Sequence, residues 1–367
     1  MIIKKLITKK ELKKFHQFGT SIYKKNIYYR STEDDVAHLL VDGPTFFHKH
    51  SKVIPCLVEE KGRIVARFAF IKDNRMENYL QIAFFEAISG IDNLYNAIKE
   101  EARQLFPNCK KICIGLNGHL NYGAGILLNK FDETPIFGLP YTHEYYPEYF
   151  KDLGIQKVIS FRFPTEGFKK YLERVKNFSY GREIKIRSLN KRRLKEDIKI
   201  YTELNNKCFQ KHPFWTNRSP EEDLELFKPF RFLLAKENIL FADYLDKPIG
   251  FLMWFPDFNQ LVNGNQKLRA GHSLSYDVLR MKLKNPINTF RFAEVGVLPE
   301  YKKTGVIFKL MNQMMQDVLK FGYTDGEGGF IFESNYDSIN LARRYIERIT
   351  SKKVDVYREY AIFEEDL

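Results

Sequence analysis

The fold of this chain is decided by the stretch Ala293-Glu294-Val295-Gly296-Val297-Leu298-Pro299-Glu300-Tyr301-Lys302-Lys303-Thr304-Gly305-Val306-Ile307. Its pattern predicts a strand that ends at Leu298, a turn, and a helix that begins at Gly305. Unbonded N–H groups at the start of a helix attract anions, and the helix dipole adds to that attraction. Gly305 allows close approach of the backbone, and Lys302 and Lys303 add positive charge. The stretch therefore predicts a diphosphate site.

Strand-like and helix-like segments alternate along the rest of the chain, a pattern that is typical of an α/β fold with a mixed sheet. In the first part we predict helices at 9–25, 32–50, 91–105 and 142–152 and strands at 53–59, 63–71, 79–87, 111–116 and 156–164. In the second part we predict strands at 183–189, 239–245, 248–255, 289–298, 329–333 and 354–363 and helices at 191–209, 219–230, 305–321 and 338–349.

The order helix, helix, hairpin, strand, helix, strand, helix, strand thus occurs twice, at an offset of roughly 180 residues. Asn177–Arg182 interrupts the pattern between the two copies, so we predict two tandem domains, 1–180 and 181–367. The irregular stretch Asn259–Asn288 is long for a loop, and Leu274–Leu283 within it could form a helix.

Composition favours a globular protein of about two domains, because the chain has 367 residues of which 44% are hydrophobic. No apolar run reaches the roughly 18 residues of a membrane span, and the basic amino terminus lacks the apolar segment of a signal peptide. We therefore expect a cytoplasmic protein without a membrane span. The four cysteines form no CxxC pair, and no Cys or His set has zinc-site spacing, so we expect reduced thiols and no metal.

The net charge of +13 indicates an anionic partner such as coenzyme A, a phosphorylated substrate, tRNA or a lipid surface. The alternative is that the lysines, which are spread along the whole chain, are simply solvated.

The segment from Val297 to Gly305 reads V-x-P-E-Y-K-x-x-G and precedes an apolar helix. It resembles the acyl-coenzyme A pyrophosphate loop of the GNAT acyltransferase superfamily. Phe330–Asn335 resembles the next strand of that superfamily and its closing Asn, and Ala342–Tyr345 resembles the segment with a tyrosine near the thioester sulfur. Val356–Tyr360 resembles the usual last strand. The resemblance implies that acetyl-coenzyme A or a longer acyl-coenzyme A is bound by Val295, Val297, Lys302, Lys303, Thr304, Gly305, Val306 and Asn335.

Two positions depart from the usual R/Q-x-x-G-x-G/A loop. Lys302 replaces the Arg or Gln, and Ile307 replaces the second small residue. The first copy departs further, because Ala87–Asp92 contains no basic residue. We infer that the first copy does not bind coenzyme A and forms one wall of the substrate cleft or only stabilises the second copy.

Nearly the whole chain resembles a set of tandem GNAT proteins from bacteria that are called YghO-like. The segments that carry this resemblance are Phe84-Phe85-Glu86, Tyr141–Tyr149 followed by Leu153-Gly154, Phe255–Gln260 and the loop above. It implies an architecture more than a reaction.

Acyl transfer to an amine requires a deprotonated amine, a stabilised oxyanion and a leaving thiolate. The resemblance implies that backbone N–H groups at Val295–Val297 polarise the thioester carbonyl and that Tyr345 is the acid for the thiolate. A core aromatic role for Tyr345 is the alternative. Glu294 is the candidate base or amine-binding group, on the strand face opposite Val295 and Val297; the alternative is a charge at the cleft rim.

Three functions remain open from the sequence. The first is an acyl-coenzyme A-dependent N-acyltransferase that acts on a small-molecule or peptide amine. The second is an aminoacyl-tRNA-dependent transferase of the Fem type, which tandem GNAT folds and a basic surface would suit. The third is a non-catalytic binding protein, which the departures at Lys302 and Ile307 favour.

Overall fold

The computed structural model describes residues 1–30, 32–176, 183–262, 283, 284 and 286–367. The predicted boundary at Asn177–Arg182 lies outside these residues, as does nearly all of the predicted helix Leu274–Leu283. The described chain forms two compact units. Unit 1 contains Met1–Val158, Val262 and Arg358–Leu367, and unit 2 contains Ile159–Leu261 and the other described residues up to Tyr357. The predicted partition into 1–180 and 181–367 stays a prediction.

The strands are β1 Ile2–Lys5, β2 Ser51–Glu60, β3 Arg63–Asp73, β4 Tyr79–Ala87, β5 Lys111–Ile114, β6 Ile126–Leu127, β7 Gly154–Pro164, β8 Ile184–Ser188, β9 Ile239–Tyr244, β10 Lys247–Pro256, β11 Thr289–Val297, β12 Asp325–Phe332 and β13 Glu359–Asp366. Among the described residues the α-helices are α1 Lys9–Ser21, α2 Thr32–Val41, α3 Leu94–Leu105, α4 Phe168–Val175, α5 Leu194–Phe209, α6 Pro220–Phe227, α7 Val306–Phe321 and α8 Tyr336–Thr350.

In unit 1 the strands lie in the order β1-β2-β3-β4-β5-β13, and β6 pairs with β13. All of these pairs are antiparallel except β4 with β5, which is parallel. The β2–β3 hairpin turns at Lys61 and Gly62, whose φ angles are both positive, as a type I′ turn requires. In the core, Ile98 of α3 belongs to the same buried cluster as Phe68 and Phe70 of β3.

In unit 2 the order is β12-β11-β10-β9-β8, and β7 lies beside β12. β11 and β12 are parallel, whereas β8, β9, β10 and β11 form antiparallel neighbours. Tyr201 and Leu204 of α5 pack on Phe251 and Met253 of β10. A capping box of Ser219 and Glu222 starts α6, within one residue of the predicted start at 219.

The mixed α/β class is confirmed, and most predicted elements are found with shifted ends. Three predictions were wrong. The last strand begins at Glu359 rather than at 354, and the helix at 142–152 is only the 3-10 turn Tyr146–Phe150. The helix at 32–50 ends at Val41, because Gly43 and Pro44 break it. β1 and α4 were not predicted, since both are too short to show a clear hydrophobic periodicity.

Candidate active site

Two parallel strands of unit 2 separate partway along their length. β11 and β12 pair from Thr289 opposite Asp325 to Phe292 opposite Gly328, and the pairing ends there although both strands continue. At the same point β11 carries a bulge, since Met253 lies opposite Glu294 and Trp254 opposite Phe292. A bulge bends its strand and increases its local twist. The bulge therefore accounts for the separation of the two strands.

The separation exposes backbone groups along one edge of β11. Leu298 donates its N–H to the carbonyl of Ile249 at 2.9 Å, so this pair is hydrogen-bonded. Bonded and unbonded pairs alternate along an antiparallel ladder, and the N–H and C=O groups of Val295 and Val297 therefore point away from β10, toward the open edge. Within the described chain these groups have no partner across the gap. The predicted positions of Val295 and Val297 thus coincide with the open edge.

The loop that follows β11 ends at the start of α7. Gly305 precedes the helix with φ 85°, a left-handed conformation that favours glycine. The carbonyl of Gly305 accepts the N–H groups of Phe308 and Lys309. In the described part of the chain the N–H groups of Lys303, Gly305, Val306 and Ile307 donate no hydrogen bond. These unbonded donors lie where the sequence predicts an anion site, which stays a prediction.

The side chains of the loop differ in exposure. Lys302, Lys303 and Thr304 are exposed, and neither lysine pairs with an acid among the described residues. The hydroxyl of Thr304 donates to the carbonyl of Tyr301 at 2.7 Å, which fixes the turn. Val306 is fully buried, so its side chain anchors the helix in the core while its N–H stays available. Ile307 is only partly buried.

Glu294 lies beside helix α5. Its carboxylate accepts hydrogen bonds from the Tyr201 hydroxyl at 2.9 Å and from the Asn205 amide at 2.5 Å. Burial raises the pKa of Glu294, and the nearby charge of Arg218 and these two hydrogen bonds oppose that rise. Arg218 itself pairs with buried Asp223 at 2.8 Å. Glu294 is therefore held by polar side chains of α5, and it stays partly exposed to solvent.

Tyr345 of α8 lies against α7. Its hydroxyl is 3.4 Å from Oδ1 of Asn312, and the Tyr171 hydroxyl donates to it at 3.5 Å. Its ring stacks on Phe308, in the first turn of α7, with ring centroids 6.0 Å apart. Tyr345 is therefore a buried aromatic whose ring lies against the first turn of α7, the helix that follows the predicted anion site.

Glu294 and Tyr345 lie on opposite faces of the unit 2 sheet. On β10 Phe251 contacts Tyr201 of α5, whereas a Cβ atom on Gly250 would meet Val306 of α7 at 3.3 Å. Adjacent strand residues face opposite sides, so α5 and α7 cover different faces. The two residues are not in contact, and only a reactant within the gap between β11 and β12 would approach both.

Asn335 follows the end of β12 and caps α8, since its side chain accepts the Ser338 N–H at 3.1 Å. Its predicted role at the pantetheine stays a prediction. The capping bond gives the residue a local role that needs no ligand.

The same strand arrangement occurs in unit 1, but there the chain fills its own edge. β4 and β5 pair in parallel from Tyr79 only as far as Ile82. Beyond that point the Ala87 N–H donates to the Tyr146 hydroxyl at 3.1 Å, and the Ala87 carbonyl accepts the Tyr145 hydroxyl at 2.8 Å.

Two further side chains complete this filling. Asn117 accepts the N–H of Phe84 at 2.8 Å. The Tyr149 hydroxyl accepts the N–H of Ile91 at 3.3 Å and donates to the carbonyl of Ile88. Backbone groups that are open on β11 are thus occupied on β4 by side chains of the same unit.

A separate cleft of about 1220 Å³ lies in unit 2 at the other end of α7, lined by residues that include Trp254, Asn238, Lys320 and Tyr323. Because α7 has 16 residues, at about 1.5 Å per residue this cleft is far from Gly305. It does not belong to the predicted anion site.

Sequence reasoning missed the residues that surround Glu294, namely Tyr201, Asn205, Arg218 and Asp223. One signal was present: Tyr201 and Asn205 lie one helical turn apart on α5, on the face that carries the apolar residues. A polar residue on such a face needs a buried partner.

Comparison with known proteins agrees with this architecture. The chain is 22% identical to the protein YghO of Escherichia coli strain K12 over 394 aligned residues, which cover 100% of this chain and 95% of YghO. No protein-family model matches the chain.

Several solved structures share the fold at low sequence identity. A tandem GNAT protein from the clavulanic acid biosynthesis pathway has a TM-score of 0.54 at 9% identity, covering 100% of this chain and 98% of that one. A GCN5-related N-acetyltransferase from Sphaerobacter thermophilus has a TM-score of 0.51 at 10% identity, with coverage of 100% and 95%.

A GCN5-related glucosamine N-acetyltransferase region of a fungal GH3 beta-N-acetylglucosaminidase has a TM-score of 0.55 at 11% identity. The match covers 99% of this chain but 38% of that multi-domain protein. None of the described helices is long and apolar enough to cross a membrane. The chain has the tandem GNAT fold and resembles YghO over its whole length.

Proposed function

We propose that unit 2 is an acyltransferase that moves an acyl group from an acyl-coenzyme A to an amine. The observation that carries the proposal is the continuity of two sets of open backbone donors. The unbonded N–H groups at Val295 and Val297 lead into those at Gly305 and Val306. A diphosphate suits the helix start, and an extended amide-containing arm suits a free strand edge.

In the proposed reaction Glu294 accepts a proton from the acceptor amine, whose nitrogen then attacks the thioester carbonyl carbon. The N–H groups of the β11 edge stabilise the oxyanion that forms. Collapse breaks the carbon–sulfur bond, and Tyr345 protonates the leaving thiolate. The products are an amide and coenzyme A, and the proton held by Glu294 returns to Tyr345 through solvent.

The raised pKa of Glu294 suits a base, because a carboxylate with a pKa closer to neutrality binds a proton more readily. The proposal gives unit 1 no coenzyme A site, since its equivalent strand edge is occupied by Tyr145 and Tyr146. Acetyl-coenzyme A or a longer acyl-coenzyme A is the donor in this proposal, and a small-molecule or peptide amine is the acceptor.

Ligand binding tests the proposal directly. We would measure the melting temperature and the calorimetric affinity of the purified protein with acetyl-, longer acyl- and free coenzyme A. A ligand at about 100 times its Kd stabilises by about 2.7 kcal/mol, which raises the melting temperature by several degrees. Lys303→Glu should weaken this binding, because it reverses a charge at the loop.

Lys199→Glu is the matched control, since Lys199 is also exposed in unit 2 but lies on α5. If both variants lose the same amount of coenzyme A affinity, the cause is the net charge of the protein and not the loop. No binding of any coenzyme A form, together with salt-sensitive binding of tRNA, would overturn the proposal in favour of an aminoacyl-tRNA-dependent transferase.

A further inference from the structure

Three metal-ligating side chains from two helices converge on the surface of unit 1. They are His16 of α1, His38 in the last turn of α2, and Asp42 just beyond that helix. One ligand atom from each lies within 4.8 Å of the other two. His16 is buried, whereas His38 and Asp42 are exposed, so the group is accessible from one side only.

The contacts within the group are short. Nε2 of His16 is 2.5 Å from one carboxylate oxygen of Asp42, and Nδ1 of His38 is 2.5 Å from the other. The two imidazole rings stack with centroids 3.6 Å apart and planes 20° from parallel. Both histidines therefore direct a ring nitrogen at one carboxylate, and their stacked rings bring these nitrogens to the same side.

We propose that His16, His38 and Asp42 bind a divalent transition-metal ion of the zinc class. Imidazole nitrogen and carboxylate oxygen are ligands that zinc takes at about 2.0–2.2 Å. Ligand atoms on one tetrahedral ion are then about 3.3 Å apart, so small side-chain rotations would admit the ion between the three groups. With three protein ligands and an exposed side, at least one coordination position stays open to water or a small ligand.

The charges around the group suit this ion. The Asp42 carboxylate places an acidic oxygen 2.5 Å from each of the two imidazole nitrogens. Arg67 is the nearby opposing charge, and it lies 3.8 Å from Glu86, which offsets it.

The site is independent of acyl transfer. It lies in unit 1, and none of its residues belongs to the open edge of β11 or to the loop before α7. An ion there would fasten the end of α2 to α1, because one ligand comes from α1 and two come from α2 and the residue after it.

Metal titration of the chelator-treated full chain tests the proposal. We expect one equivalent of Zn²⁺ by calorimetry and a Co²⁺ absorption spectrum without a thiolate charge-transfer band, since the ligands are nitrogen and oxygen. His38→Ala and Asp42→Asn, both at exposed positions, should each weaken binding by about tenfold or more.

His48→Gln is the matched control, because His48 is a half-buried histidine of unit 1 that bonds with Thr45 outside the group. It should bind as the wild type does. The proposal is overturned if the wild type takes up no Zn²⁺, if His38→Ala binds as tightly as the wild type, or if Co²⁺ shows a thiolate band.

Discussion

The hydroxyl of Tyr146 bridges the Ala87 N–H, at 3.1 Å, and the Glu86 carboxylate, at 2.5 Å. The backbone group it occupies corresponds to one that unit 2 leaves open. Ile88 donates to Val65 in unit 1 as Leu298 donates to Ile249 in unit 2, so Ala87 and Val297 hold equivalent edge positions. The difference between the two units is thus a difference in what fills one strand edge.

Tyr146→Phe should destabilise unit 1 without affecting coenzyme A binding. The change removes one bond to a buried carboxylate and leaves a buried N–H without a partner, which costs about 1–3 kcal/mol. Urea unfolding measures the loss. Tyr336→Phe is the control, because that side chain is 71% exposed. A Tyr146→Phe variant as stable as the wild type would show that the bridge contributes nothing.

Gly305→Ala should weaken coenzyme A binding, whereas Gly322→Ala should not. Both glycines cap α7 with left-handed φ angles, 85° and 80°, so alanine at either position costs about 1–2 kcal/mol of stability. Only Gly305 lies at the proposed diphosphate. Calorimetry measures the coenzyme A affinity of both variants. Because alanine causes a similar backbone strain at both positions, a difference in affinity reports the contact with the ligand. Equal affinities would contradict the site.

Glu294→Gln should lower kcat by about 10²–10⁴-fold and leave coenzyme A affinity unchanged. The amide can still accept from Tyr201 and Asn205, so these hydrogen bonds should persist. Because the pKa of Glu294 is raised by burial, wild-type activity should rise with pH above the usual range for glutamate. The variant should lack that limb of the pH profile, and wild-type turnover in the variant would exclude Glu294 as the base.

Tyr345→Phe distinguishes an acid from a core aromatic. The ring would keep its contact with Phe308, so melting temperature and substrate KM should change little. If the hydroxyl protonates the thiolate, kcat falls and donors with a more acidic thiol leaving group are affected least. An unchanged kcat would assign Tyr345 to packing alone.

Asp317→Asn should stabilise unit 2 at pH 7 but not at pH 4. Burial raises the pKa of Asp317 to about 6, and the hydrogen bond from Gln313 opposes that rise. Because folding raises this pKa, the carboxyl makes its full contribution to the free energy of unfolding when the pH is below its ordinary pKa of 3.8. That contribution is lost as the pH rises through about 6. Asparagine does not titrate, so the gap in melting temperature should grow from pH 4 to pH 7. A constant gap would contradict this assignment.

Many helices and strands of unit 2 could be predicted because the signals that define them lie within a few neighbouring residues. Ser219 and Glu222 mark a helix start, and Gly305 and Gly322 mark both ends of α7. The separation of β11 from β12 could not be predicted, since it depends on a bulge opposite Met253 of β10. The environment of Glu294 was missed for the same reason, because its partner Tyr201 is 93 residues away in the chain.

Local sequence is enough to predict the alternation of strands and helices and the loop that precedes α7, since periodicity, capping and glycine conformation act over a few residues. Which strand edge is open depends instead on contacts between distant parts of the chain. The backbone of β4 has the same donors and acceptors as that of β11, but the tyrosines of Tyr145–Tyr149 reach it from more than 50 residues along the chain. Hydrogen-bond satisfaction is a property of neighbours in space, and so are the convergence of His16, His38 and Asp42 and the burial that raises the pKa of Glu294.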